Sequence, residues 1–142
     1  MSDTSLGLGG YLPPSFLMRH VVNPLARVLG HPTLIVRGRI SGREISTPVS
    51  PFQYEGATFV VAGRGETQWV RNLRMAGRCD LRIRWHRQPH LATELRGPEH
   101  QLVITAYLNR LGRHAPAFLA GLPNPADHPI FRLDPTGPSV RG

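Results

Sequence analysis

The sequence predicts an α+β fold: a mainly antiparallel sheet or small barrel with helices packed on its outside. Three observations predict it. Short β-like runs follow one another with turn residues between them. Few helical segments separate consecutive runs, which disfavours parallel crossovers. No repeat and no linker divides the 142 residues, a length that suits one compact domain with a real core. The composition, 40% hydrophobic and 18% charged, is that of a globular chain and not a disordered one.

Residues 1–14, rich in Gly, Ser and Pro, read as a flexible N-terminal arm, and residues 15–142 as a single domain. Ser15 can cap a helix in which Phe16, Leu17, Val21, Val22, Leu25 and Val28 fall mostly on one face. Pro24 should kink or divide that helix, and Gly30 stops it. Packing over the sheet is the ordinary fate of such a helix, while its amphipathic character also allows a peripheral membrane contact.

Thr33–Val36 is apolar and β-branched, and Gly38-Arg39-Ile40-Ser41-Gly42 is turn-like. Glu44–Tyr54 reads as a strand interrupted by Pro48 and Pro51, which implies an edge or a bulge. Glu55-Gly56 makes a tight hairpin turn into Thr58–Ala62. Gly63-Arg64-Gly65 precedes a short helix, Thr67 to Met75, with Trp69, Val70 and Leu73 as apolar anchors.

Asp80–Trp85 alternates Leu81, Ile83 and Trp85 against Arg82, Arg84 and His86, a period-two pattern with His90–Leu95 as its hairpin partner. Pro98-Glu99 starts a long helix through about Leu119, with Leu102, Val103, Ala106, Tyr107, Arg110 and Leu111 marking its period. Pro116 suggests a second helical piece near its end. A loop from Gly121 to Asp127, a strand Ile130–Leu133 and a Pro/Gly tail complete the chain.

All 17 basic side chains are arginines, and against nine acids they give a net charge of +8. Without lysine, no Schiff-base enzyme and no standard P-loop nucleotide hydrolase is expected. Cys79 is the single cysteine, which excludes a disulfide within the chain and any multi-cysteine metal site, so no metal is expected. GC-rich coding accounts for much of the arginine excess. The functional reading is anion binding, because arginine offers a fixed fork to phosphate and carboxylate. The opening residues do not read as a signal peptide, and no apolar run reaches the roughly 18 residues of a membrane span. With a lone cysteine, the expected location is the cytoplasm.

Two turns attract attention as anion sites. Gly38 to Arg43 places arginines and a serine in a glycine-bounded turn, which reads as a backbone anion nest or as a plain solvated hairpin turn. Gly63-Arg64-Gly65 repeats the theme just before a helix N-terminus, where exposed N–H groups favour anions. Trp69 and Asn72, three apart on that helix, can face one side. Trp69 then serves as a core anchor or a ring platform, and Asn72 as a site residue or a local cap.

The segments GRISGREISTPVSPF, VVAGRGETQWVRNL and HPIFRLDP, in that order, resemble the deazaflavin-dependent nitroreductase family. Its members share a pattern close to G-R-x-S-G, a following T-P, and a glycine-rich turn with W-x-x-N-L. Asn23-Pro24-Leu25 also suits the family, and the resemblance runs from about residue 15 to residue 134. It implies a split β-barrel of the flavin and deazaflavin oxidoreductases and binding of coenzyme F420, with FMN as the alternative.

By matching positions, Arg39 and Ser41 would meet the coenzyme's phosphate or acidic tail, with Arg43 nearby. Ile40 stands where the family often carries a basic residue. Pro48, Val49 and Ser50 would line the deazaflavin ring. Ala62, Gly63, Arg64 and Gly65 would approach ring and phosphate, and Trp69 and Asn72 would close the site. A serine is common where Gly63 stands, and the C-terminal half holds only one tyrosine, Tyr107, where known members carry several.

The expected function is an F420-dependent oxidoreductase that reduces a small organic acceptor, such as an activated C=C, a quinone or a nitro compound, by hydride transfer. Tyr54, Tyr107 and His86 are candidate proton sources among which the sequence does not choose. The alternative reading is a non-catalytic split-barrel protein binding a lipophilic small molecule. The basic, aromatic run Arg82–Arg87 invites nucleic acid, but no recognised nucleic-acid motif is present, so no specific nucleic-acid partner is expected. Monomer and homodimer both remain open.

Overall fold

The structure is a computed structural model and describes residues 31–141. The expected arm at residues 1–14 and the helix from Ser15 to Gly30, with Asn23-Pro24-Leu25, lie outside the described residues. Strand β1 is Thr33–Arg37, β2 Glu44–Pro48, β3 Phe52–Tyr54 and β4 Ala57–Val61. Helix α1, Gln68–Ala76, leads into β5, Arg78–Ile83, and β6, His86–Glu94. Helix α2, Gly97–Leu111, a 3₁₀ turn at Gly112–His114 and helix α3, Ala115–Leu119, follow. A second 3₁₀ turn, Pro125–Asp127, precedes β7, Ile130–Pro135, and β8, Val140–Arg141.

The strands form one antiparallel sheet in the order β2-β1-β5-β6-β7-β4-β3, with β8 pairing β6 off this path. Strands β2 and β3 are neighbours in sequence yet occupy opposite ends of the sheet. Only Val49, Ser50 and Pro51 join them, a link that spans at most about 14 Å. Flat strands at about 4.8 Å spacing would set these ends roughly 29 Å apart. The sheet therefore has to curl until its ends approach, which makes it a split barrel. The Val49 amide anchors the link by donating to the Pro32 carbonyl at 3.0 Å.

Pro48 and Pro51 do mark edges, as their missing amides require. Pro48 closes one edge strand and Pro51 precedes the other. The turn between β3 and β4 has Glu55 at φ 51° and Gly56 at φ 79°, the pair of positive angles a two-residue hairpin needs.

Two apolar clusters lie on the two faces of the sheet. The first gathers Leu34, Val36, Val60, Leu81, Phe131 and Leu133 with Val70 and Leu73 of α1. The second gathers Phe52, Phe59 and Ile130 with Val103, Ile104 and Tyr107 of α2 and Phe118 of α3. Phe59 and Val60, adjacent in β4, enter different clusters, as do Ile130 and Phe131 in β7, because successive strand residues point to opposite faces.

Three expectations need correction. The strand expected at Asp80–Trp85 begins at Arg78 and ends at Ile83, and its partner begins at His86 and not at His90. Leu81 is buried, but Ile83 and Trp85 are 47% and 51% exposed. The alternation continues past the end of β1, which pairs β5 no further than Thr33 with Arg82, so among the described residues β1 leaves the last apolar positions uncovered. On α2 the buried face is Val103, Ile104 and Tyr107, while Leu102 is exposed. The tail is not structureless: Val140 and Arg141 pair with Arg87 and His86. The long helix expected through about Leu119 stops at Leu111, where Gly112 at φ 56° ends it, and the second helical piece expected near Pro116 is α3. Among the described residues, no helix is long and apolar enough to cross a membrane.

Candidate functional site

The β1–β2 turn is closed by its own backbone. Gly38 N–H donates to the Arg43 carbonyl at 2.7 Å, and Gly42 N–H to the Gly38 carbonyl at 2.9 Å. The Arg43 amide donates to Ser41 Oγ at 3.1 Å, and the Arg37 guanidinium caps the Gly42 carbonyl. Ile40 stands at the apex, 87% exposed. Much of the turn's polar backbone is thus committed to holding its shape.

Helix α1 holds Arg39. Asn72 is 3% exposed, and its Oδ1 accepts from both the Arg39 amide at 3.1 Å and Arg39 Nη1 at 2.7 Å. Gln68, one helical turn earlier on the same face, accepts from the same Nη1 at 2.9 Å. Asn72 is therefore a tether between helix and turn and not a local cap. Gln68 was not singled out from the sequence, although its i,i+4 spacing to Asn72 was the available signal.

The Gly63-Arg64-Gly65 turn feeds α1. Ala62 is buried, with its amide donating to the Pro129 carbonyl at 2.8 Å. Gly65 sits at φ 80°, and a Cβ there would lie 3.1 Å from Leu122 Cδ2, so both backbone and space require glycine. Thr67 is the N-cap residue of α1, yet its side chain makes no capping bond, and its Oγ1 is buried without a partner among the described residues.

The structure brings Val49, Ala62 and Trp69 into the first cluster. Trp69 is a core anchor, with its ring 6.3 Å from that of Phe131. Pro48 and Arg64 are exposed, Ser50 is half-buried and Gly63 is buried. Arg64 and Gly65 turn toward a separate cleft of about 1050 Å³ between α2 and the 122–129 segment, which Arg96, His100 and Asn124 also line.

Charge is unevenly neutralised. Arg74 bridges Glu66 and Glu94, Arg87 bridges Asp80 and Glu44, and Arg132 bridges Asp134 and Glu99. Arg74's hydrogen bonds hold the Glu66 and Glu94 carboxyls below their usual range. Among the described residues, Arg39, Arg43 and Arg64 make no ion pair. Tyr107 lies in the second cluster, wedged between Phe52 and Phe118, and burial pushes its phenol up. Neither Tyr54, which packs on that same cluster, nor His86, on the β5–β6 hairpin, joins the group around Trp69. Burial likewise pushes the Cys79 thiol up to about 12, so it behaves as a small apolar core residue.

His128, missed in the sequence, braces this region. It is fully buried, with Nδ1 2.9 Å from the Ala62 carbonyl and Nε2 2.7 Å from the Leu122 carbonyl. Its ring stacks on Phe118 at 4.7 Å. Nothing in the local sequence marks a histidine for such a place.

A curled antiparallel sheet with α1 on one face, α2 on the other and an arginine turn tethered to α1 is the split barrel of the flavin and deazaflavin oxidoreductases. Residues 17–115 match the family model of the F420H(2)-dependent quinone reductases, and the chain belongs to that family of reductases. Solved structures share the fold at low identity. HutZ, a heme storage protein from Vibrio cholerae, is 16% identical with a TM-score of 0.58, over 92% of this chain and 94% of that one. An F420-H2-dependent reductase, FDR-A, is 17% identical with a TM-score of 0.56, over 72% and 92%. A FAD-binding protein from Mesorhizobium loti is 15% identical with a TM-score of 0.56, over 83% and 93%. No curated protein matches the chain.

Proposed function

We propose that the protein binds coenzyme F420 at the β1–β2 turn and the N-terminus of α1, and reduces a small organic acceptor of the quinone type. The tether of Arg39 to Asn72 and Gln68 carries this reading. It fixes a guanidinium at one place and leaves its other N–H donors for a ligand. The residues fit an acidic, ring-bearing coenzyme on two counts. Arg39, Arg43 and Arg64 have no ion pair among the described residues. Thr67 Oγ1, at a helix N-terminus, is a buried polar atom without a partner among the described residues.

The coenzyme, when bound, supplies a hydride donor. This chain's residues would bind and orient it: Arg39, Ser41 and Arg43 toward its acidic groups, with Ile40 at the rim of that turn, while Arg64, facing the neighbouring cleft, would meet only a tail that extends there. Pro48, Val49, Ser50, Ala62, Gly63, Gly65, Trp69 and Asn72 would shape the ring's bed. Val49, Ala62 and Trp69, already packed in the first cluster, would keep water from that bed.

Titration of the protein with F420, and separately with FMN, tests the reading. F420 should bind, and Arg39→Ala should weaken it about 10- to 100-fold, the worth of a lost charge-assisted hydrogen bond. An unchanged affinity removes Arg39 from the site. Tight FMN binding without F420 binding replaces the coenzyme assignment.

A further inference from the structure

We propose that the tip of the β5–β6 hairpin docks the protein on an anionic lipid bilayer. The chain reverses at Arg84 and Trp85, with Arg84 at φ 56°. This tip projects past its neighbour, since β1 pairs β5 no further than Thr33 with Arg82. Trp85, Ile83 and Val140 are 51%, 47% and 54% exposed.

The register sorts the tip into two faces. Ile83 pairs with His86, and His86 with Arg141, so these three side chains share one face. Arg82 pairs with Arg87, and Arg87 with Val140, so these three share the other. Each face therefore presents one aliphatic side chain beside arginine, and Trp85 stands at the apex. Such a wedge enters a surface edge-on, with its cations behind the apolar tip.

Charge complementarity selects the surface. The acids that reach this hairpin, Asp80 and Glu44, are both held by Arg87 at 2.5 Å. Arg82, Arg84 and Arg141 have no ion pair or side-chain hydrogen bond among the described residues. An unneutralised arginine cluster around an exposed tryptophan suits the headgroup region of an anionic bilayer, where indole rings collect and each cation is attracted. A nucleic acid would use the Trp85 ring and the arginines but would gain nothing from Ile83 and Val140.

The position is useful to a reductase. Thr33 pairs with Pro48 on one side and Arg82 on the other, so the tip shares one end of the sheet with Pro48–Ser50. Docking there sets that end of the barrel against the phase in which an apolar acceptor dissolves. The docking claim itself does not depend on the coenzyme.

Co-sedimentation of the full chain with vesicles of equal parts phosphatidylglycerol and phosphatidylcholine is the test, with phosphatidylcholine alone as control. The protein should bind the anionic vesicles, and tryptophan emission should shift to the blue. Replacing both Arg84→Ser and Trp85→Ser should weaken binding roughly tenfold or more, while Arg113→Ser, an exposed arginine in the turn after α2, should not. Circular dichroism and thermal melting confirm that the exposed changes leave the fold intact. Absence of binding to anionic vesicles overturns the proposal. So does native-like binding of the double variant, an equal loss in Arg113→Ser, or tighter binding to a random oligonucleotide that the vesicles fail to displace.

Discussion

At the scale of single residues, His128 shows how much one buried side chain can organise. Both ring nitrogens face carbonyl oxygens, Ala62 on one side and Leu122 on the other, and its own carbonyl lies 2.7 Å from His100 Nε2. The residue thereby ties the start of the Gly63–Gly65 turn to the loop before β7. His128→Leu would fill a similar space yet leave the Ala62 and Leu122 carbonyls facing an apolar side chain. A loss of about 2 to 4 kcal/mol is expected, measured by chemical denaturation. A loss below half a kcal/mol would show that water or rearrangement satisfies those carbonyls. No sequence pattern announces such a residue, because its partners are backbone atoms far along the chain. Arg39 is the opposite case. Its glycine-bounded turn is visible in the sequence, and only its tether needed the structure.

At the scale of elements, the strands were legible wherever turn chemistry punctuated them. Glu55-Gly56 and the prolines at 48 and 51 are correct signals for physical reasons: positive φ in one case, missing amides in the other. In the β5–β6 hairpin the first strand was read two residues late and the start of the second four residues late, because a period-two pattern runs through a reversal without changing phase. Helix α1 was located by Trp69 and Leu73, but its attachment to β6 was not visible. Arg74 makes that attachment, donating to Glu66 before the helix and Glu94 on the strand.

The pH dependence of this junction follows from its sign. Both glutamates have carboxyl groups held below the ordinary value of 4.5 by Arg74. Their contribution is present in full above that value and is lost as the pH falls below it through the depressed range. Arg74→Met should therefore lower the melting temperature at neutral pH and flatten the decline between about pH 5 and pH 3. Melting curves across that range would show parallel acid limbs if the junction carries no such linkage.

At the scale of the whole molecule, the overall charge conceals a division of labour. Arg74, Arg87, Arg96 and Arg132 are spent on internal carboxylates. Among the described residues, the arginines left without ion pairs include Arg39 and Arg43 of the β1–β2 turn and Arg82 and Arg84 of the hairpin tip. Composition alone could not separate these groups, since each arginine reads the same in a list of residues. The fold class was legible because it rests on the order of strands and turns. Its closure was anticipated too, as a small barrel from the residues and a split barrel from the family resemblance, but which strands become the edges was not legible, because that depends on long-range pairing.

The link of Val49, Ser50 and Pro51 is in effect a buckle. It fastens two edges that share no ladder with each other, so the opening of the barrel mouth is set by covalent chain length and not by hydrogen bonding. Inserting two glycines after Ser50 should leave every strand pairing intact and cost little stability, since loop entropy grows only with the logarithm of length. Hydrogen exchange should nevertheless speed up selectively in β2 and β3, the two strands the buckle holds, while β6 and β7 keep their protection. Uniform protection across all four would mean that packing alone keeps the mouth closed. If the buckle governs the mouth, its length becomes the setting by which members of this fold could widen or narrow the entrance without altering a single residue inside.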